Sequence, residues 1–150
     1  MKRLSSCLAA LLMLVSVAVH AEDMLMVRSP QAFPETMLLL QDALKLQGYQ
    51  ISRVQHVDVG LTTFGFKTDL YRVVFFAKHD ELAALAETHP ALIAYLPYPV
   101  AIFAEGSETL VAAANPGRLA QLFPDPALAP MFARWEKDLR AVMDAVQRGE

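Results

Sequence analysis

Apolar and polar positions change their spacing several times along the chain, and each change marks an element. Met24 to Arg28 is a short apolar stretch stopped by Ser29-Pro30, which suits a strand ending where proline removes a ladder donor. Phe33, Met37, Leu40 and Leu44 then recur at helical spacing, with Pro34 near the start and Gly48 as a stop. From Tyr49 to Val59 the β-branched residues Ile51, Val54, Val57 and Val59 favour extended chain. The alternation slips along the way, as a bulge would cause. Gly60 to Gly65 reads as a turn or loop. The continuous apolar run Tyr71 to Ala77 then predicts a central strand apolar on both faces, which calls for a second layer or a dimer contact.

Asp80 is placed to cap a short helix carrying Leu82, Leu85 and Ala86 on one side and ending at His89-Pro90. Two apolar segments, Val100 to Ala104 and Thr109 to Ala113, flank Glu105-Gly106-Ser107-Glu108 and predict a hairpin. Asn115-Pro116 supplies a cap followed by proline, opening a short helix with Leu119, Leu122 and Phe123. The last helix, over 127–147, is the clearest element, because Leu128, Met131, Phe132, Trp135, Leu139, Val142 and Val146 keep the helical period throughout. The resulting order, β-α-β-β-α-β-β-α-α, has hairpin neighbours where a doubly wound fold would have crossovers. It predicts an α+β fold, a two-layer sandwich of helices packed on a mainly antiparallel sheet.

The first 21 residues stand apart from this pattern. Lys2 and Arg3 precede an almost uncharged apolar run, Leu4 to Val19, and Val19-His20-Ala21 offers a small-x-small cleavage site. The run is shorter than the roughly 20 apolar residues of a stable span. Residues 1–21 are therefore expected to be a cleaved signal peptide, leaving 22–150 as a single periplasmic or secreted domain with no membrane span. Cys7 and His20 would leave with the peptide. Loss of Lys2 and Arg3 from the 13 basic residues leaves 11 against 16 acidic ones, a formal charge of −5 that disfavours nucleic acid as a partner. With no cysteine left, neither a disulfide nor a thiol nucleophile is on offer, and apolar packing must carry stability.

Candidate chemistry is sparse. His56 and Asp58, two apart in the expected strand, would share a face and act as an acid–base pair or as two metal ligands. A polar, solvated strand face is the simpler reading, because neither a third ligand nor a nucleophile stands nearby in the sequence. Lys78-His79-Asp80-Glu81 marks a strand-to-helix junction, where ligands are often held, though capping and the helix dipole account for Asp80 and Glu81. Met24 and Met26 are soft enough for cuprous copper, but two methionines at strand spacing more often pack into a core or fray with a new amino terminus. His89 reads as a surface residue or carbonyl partner, and Trp135 as core. The glycines at 60 and 65 lack the Lys-Ser/Thr of a phosphate loop, and no serine sits in a Gly-x-Ser-x-Gly setting.

The order of motifs resembles the bacterial family catalogued as domain of unknown function 302. The matching elements are SPQAFPETMLLLQDALKLQGYQI, the strand VVFFA running into Asp80-Glu81-Leu82-Ala83, His89-Pro90, Leu96-Pro97, the strand PVAIFAE and Asn115-Pro116. The resemblance spans about 24–123, with the last helix at or beyond its edge. Relatives often carry a cysteine or Asn-Pro where this chain has Ala77-Lys78-His79, and a cysteine where it has Tyr98, so chemistry resting on those cysteines would be absent here. The resemblance implies a compact α/β sandwich and a homodimer, and it implies no established activity. The sequence thus favours a non-enzymatic module without a cofactor, binding a small apolar ligand or an envelope protein. The competing expectation is a metal-binding or acid/base protein using His56, Asp58 and His79, which requires the fold to gather these three around a cavity.

Overall fold

The computed structural model describes residues 22–150; the expected signal peptide, with Cys7 and His20, lies outside the described residues. Five strands form one sheet: β1 (Met24–Ser29), β2 (Gln50–His56), β3 (Tyr71–Ala77), β4 (Tyr98–Glu105) and β5 (Glu108–Ala114). Their order across the sheet is β1-β5-β4-β3-β2, and every neighbouring pair is antiparallel. The helices are α1 (Phe33–Leu46), α2 (Val57–Thr63), α3 (His79–Thr88), α4 (Leu119–Leu122) and α5 (Ala129–Arg148), with 3-10 turns at Pro90–Tyr95 and Pro116–Arg118. This is the α+β sandwich that the alternation predicts.

α1 and α5 pack together over one face of the sheet. α1 begins after an extended Ala32, with Pro34 in its first turn, and buries Phe33, Thr36, Leu40, Ala43 and Leu44. Its end needs Gly48, whose φ of 81° lets the chain reverse into β2, with Gly48 N–H donating to the Lys45 carbonyl. On α5, Phe132, Trp135, Leu139, Val142, Met143 and Val146 are all buried, so the predicted stripe is the core-facing one. They meet Leu25, Val74, Phe76, Val100, Ile102 and Val111 from the strands, several of them with no exposed area at all.

Two features differ from expectation. Val57 to Val59 is not strand, nor is Gly60 to Thr63 a loop: the chain leaves β2 at His56 and enters α2, in which Thr62 and Thr63 hydroxyls donate back to the Asp58 and Val59 carbonyls. The β-branched valines suggested strand, but an ion pair from Asp58 to Arg72 holds the turn against β3. Asp80, likewise, is not a cap. Lys78 occupies that position without a side-chain cap, the Gln50 side chain accepts the His79 N–H, and Asp80 and Glu81 are first-turn acids. The expected bulge is present in β2, where the register shifts between Ile51 and Arg53 and the Ser52 hydroxyl donates to the Phe75 carbonyl.

The hairpin of β4 and β5 turns through Gly106, at φ 63°, and Ser107. Asn115 caps the following 3-10 turn as anticipated, accepting from the Gly117 N–H at 2.8 Å. Its amide nitrogen donates to the Glu22 carbonyl and the Glu136 carboxylate, both at 2.9 Å, so one buried side chain ties the start of β1 to α5. A Cβ on Gly117 would meet the Glu136 carboxylate, which would then have to swing away from its bond to Asn115. Burial pushes the Glu136 carboxyl up, but the bonds from Asn115 and Arg140 outweigh it and the net direction is down.

Candidate functional site

The three residues singled out for chemistry are not gathered. His56 ends β2 opposite Arg72, whereas His79 follows Ala77, which pairs with Gln50 at the other end of the same two strands. That places the histidines roughly 20 Å apart along the hairpin. Both are exposed. Asp58 sits on α2, and its carboxylate is engaged by Arg72, whose hydrogen bond holds it below the usual 3.8. Arg72 in turn lies 5.8 Å from the Phe33 ring centre, so the pair pins α2 against the main body. Among the described residues no group of three or more His, Cys, Asp or Glu side chains is placed to hold a metal ion. Met24 and Met26 stand on the sheet face away from α1 and α5, and His89 bonds to Thr88 and Asp125.

The β3–α3 junction is more structured than its sequence suggests. Lys78 Nζ lies 3.2 Å from the Asp138 carboxylate and 4.6 Å from the centre of the Tyr49 ring, and Tyr49 donates to the same carboxylate at 3.0 Å. Glu81, one turn into α3, accepts from Trp135 Nε1 at 2.9 Å and pairs with Arg134. Burial, reinforced by Asp138, pushes the Tyr49 phenol well above its ordinary range. A phenol so held stays protonated at neutral pH and serves as a donor, not as a base. This cluster fastens α3 to α5.

Behind it is a small apolar cavity of about 20 Å³, walled by Tyr49, Phe76, Leu85, Trp135 and Leu139. That is room for about one water. A much larger space lies on the far side of Leu96 and Tyr98, which wall both. It is an open cleft of about 460 Å³ between the Ala94–Pro99 segment, the ends of β3 and β5, and the Asn115–Leu122 segment. Phe75, Tyr95 and Leu122 give it an apolar lining, and Leu122 is 59 % exposed there although it is a large apolar residue. Tyr98 donates to the Ala114 carbonyl at 2.9 Å, and burial takes its phenol up to about 12.

The cleft's polar groups are few. Asn115 spends its amide on the three bonds already described. Arg118 is the charged side chain of the lining and pairs with Asp23 at 2.8 Å, an exposed contact worth little in water. Volume and lining fall within the range of small-molecule sites. Sequence reading missed this cleft, because its walls come from segments separated by tens of residues. The only local signal was Leu122, an apolar residue on a helix too short to bury it.

The comparisons with known proteins agree with the architecture. The chain is similar in structure to an uncharacterized conserved DUF302 protein from Bacillus stearothermophilus, with a TM-score of 0.75 at 23 % identity, over 84 % of this chain and 99 % of that one. No curated protein matches the sequence. The family model described as "Domain of unknown function DUF302" matches residues 25–146. It therefore takes in α5 as far as Val146, a helix that the motif order left at or beyond the edge and whose buried stripe packs against the sheet. On this match the chain belongs to the DUF302 family, a family of unknown function.

Proposed function

We propose that the protein is exported, loses residues 1–21, and acts in the periplasm as a non-enzymatic module that binds a small, mainly apolar ligand in the cleft beside Tyr98. The observation that carries this reading is the cleft itself: about 460 Å³ of open, apolar-lined space with one charged group in its wall. Supporting it, the Asp58–Arg72 pair and the Lys78–Asp138–Tyr49 cluster elsewhere are packed in ways that fasten helices. Cleavage after Ala21 would leave the Glu22 and Asp23 anchors to Asn115 in place.

The test is direct. Protein purified from cells expressing the full-length chain is titrated with an anilinonaphthalene sulfonate probe and then with competing apolar alcohols and carboxylates. Saturable binding of one probe per chain is expected, weakened at least about tenfold by Ala94→Trp, which fills the cleft from its rim. Absence of saturable binding, or identical binding by the variant, overturns the ligand reading. Mass analysis of the same material tests export, with a chain beginning at Glu22 expected and an intact Met1 counting against it.

A further inference from the structure

The polar chemistry of the cleft beside Tyr98 narrows to very few groups. Among the side chains of its wall that can donate a hydrogen bond, Asn115 gives its amide hydrogens to Glu22 and Glu136, and Tyr98 gives its hydroxyl to the Ala114 carbonyl. Arg118 and the Tyr95 hydroxyl remain.

The local backbone sets Arg118 against the apolar wall. It ends the 3-10 turn that Asn115 caps, its own φ and ψ are helical, and α4 follows directly. Arg118 and Leu122 therefore stand one helical turn apart on the same side, and both line the cleft. Its present partner holds it loosely. Asp23 approaches Nε at 2.8 Å with a side chain that is itself 74 % exposed, and no second carboxylate among the described residues reaches the guanidinium. The neighbouring acids Glu22 and Glu136 are both engaged by Arg140. A contact through Nε leaves the edge between the two terminal nitrogens, a pair of parallel donors that matches a carboxylate.

From this arrangement we infer that the cleft takes a medium-chain monocarboxylic acid, its carboxylate on the Arg118 guanidinium and its hydrocarbon body along Leu122, Tyr95 and Phe75.

The inference rests on the reading of the cleft as a ligand site and adds the class of ligand. Charge selects the head group. One cation balances one negative charge, whereas a dianion such as a phosphate monoester would leave a charge uncompensated against apolar walls. Desolvation selects an acid over a neutral compound of the same length. Any ligand that fills the cleft takes water away from the guanidinium; an alcohol leaves that loss largely uncompensated, and a carboxylate replaces the water with charge-assisted hydrogen bonds. Size limits the body. An apolar cavity of about 150 Å³ holds one benzene ring, and the cleft, at about 460 Å³, is roughly three times as large. Since its mouth is open and part of that space stays wet, a chain of about eight to twelve carbons fits it.

The experiment is calorimetric titration of the purified protein with sodium octanoate and with 1-octanol, which share a chain length and differ in the head group. The wild type is expected to bind octanoate at least about tenfold more tightly than octanol. Arg118→Gln should remove that preference and leave the melting temperature nearly unchanged, because the exposed pair it breaks contributes little. Asp23→Asn takes away the competing carboxylate and should tighten octanoate by about threefold. Equal affinity for the two head groups, or a preference that survives Arg118→Gln, overturns the inference and leaves the cleft a ligand site. If neither compound binds, the ligand reading falls and the inference falls with it.

Discussion

The two faces of the sheet are built from the same kinds of residue and have different fates. On one face Val74, Val100, Ile102 and Val111 have no exposed area, because α1 and α5 cover them. On the other, Met24 and Met26 are about half exposed, while Leu110 and Ala112 at its centre are 5 % and 8 % exposed. The difference teaches that apolar composition decides which surfaces avoid water, while connectivity decides which of them this chain can cover by itself. Two long helices suffice for one layer, and α2 and α4 are too short to make another.

Breaking the covered face should have the largest effect. Phe132→Ala removes a wholly buried ring from α5 and should cost about 3–5 kcal/mol, read as a lower urea midpoint. Next comes the joint between the sheet and α5. Asn115→Ala strands the Gly117 N–H and the Glu22 carbonyl and should cost about 2 kcal/mol, with amide exchange rising first at the start of β1. A smaller effect is expected from the Asp58–Arg72 pair. Because the folded state holds the Asp58 carboxyl below 3.8, its contribution is complete above that value and is lost as pH falls through the folded pKa. Melting temperature followed downward from pH 5 should therefore drop less steeply in Asp58→Asn than in the wild type. The smallest effect belongs to the bare face: Met26→Gln should change the stability of dilute protein by no more than about 0.5 kcal/mol.

Much of the covered face was legible in the sequence. Seven apolar residues at helical spacing announced α5, Pro34 and Gly48 bracketed α1, and Gly106 marked the hairpin, because each of these signals is local. The β2 bulge was legible for the same reason. What stayed hidden depends on partners far along the chain. α2 forms where Val57 and Val59 favour strand, because Asp58 finds Arg72 14 residues away. The start of α3 is set by Gln50, 29 residues before it. The cleft was hidden more deeply, since its walls come from Phe75, the Ala94–Pro99 segment and the Asn115–Leu122 segment, and the cluster behind it was no plainer. Glu81 looked like a first-turn acid and is one, but it also holds the Trp135 indole, 54 residues distant. The apolar run Tyr71 to Ala77 did carry a true hint, since its two-sided character is what leaves a bare face.

Asn115 grips main-chain oxygens of Glu22, and its own N–H takes that of Asp23, so the grip is blind to whatever side chains occupy those two positions. Their exposed pairings with Arg140 and Arg118 add little. The entry to the first strand is in this sense a socket without a key: its letters can drift while the architecture downstream stays the same.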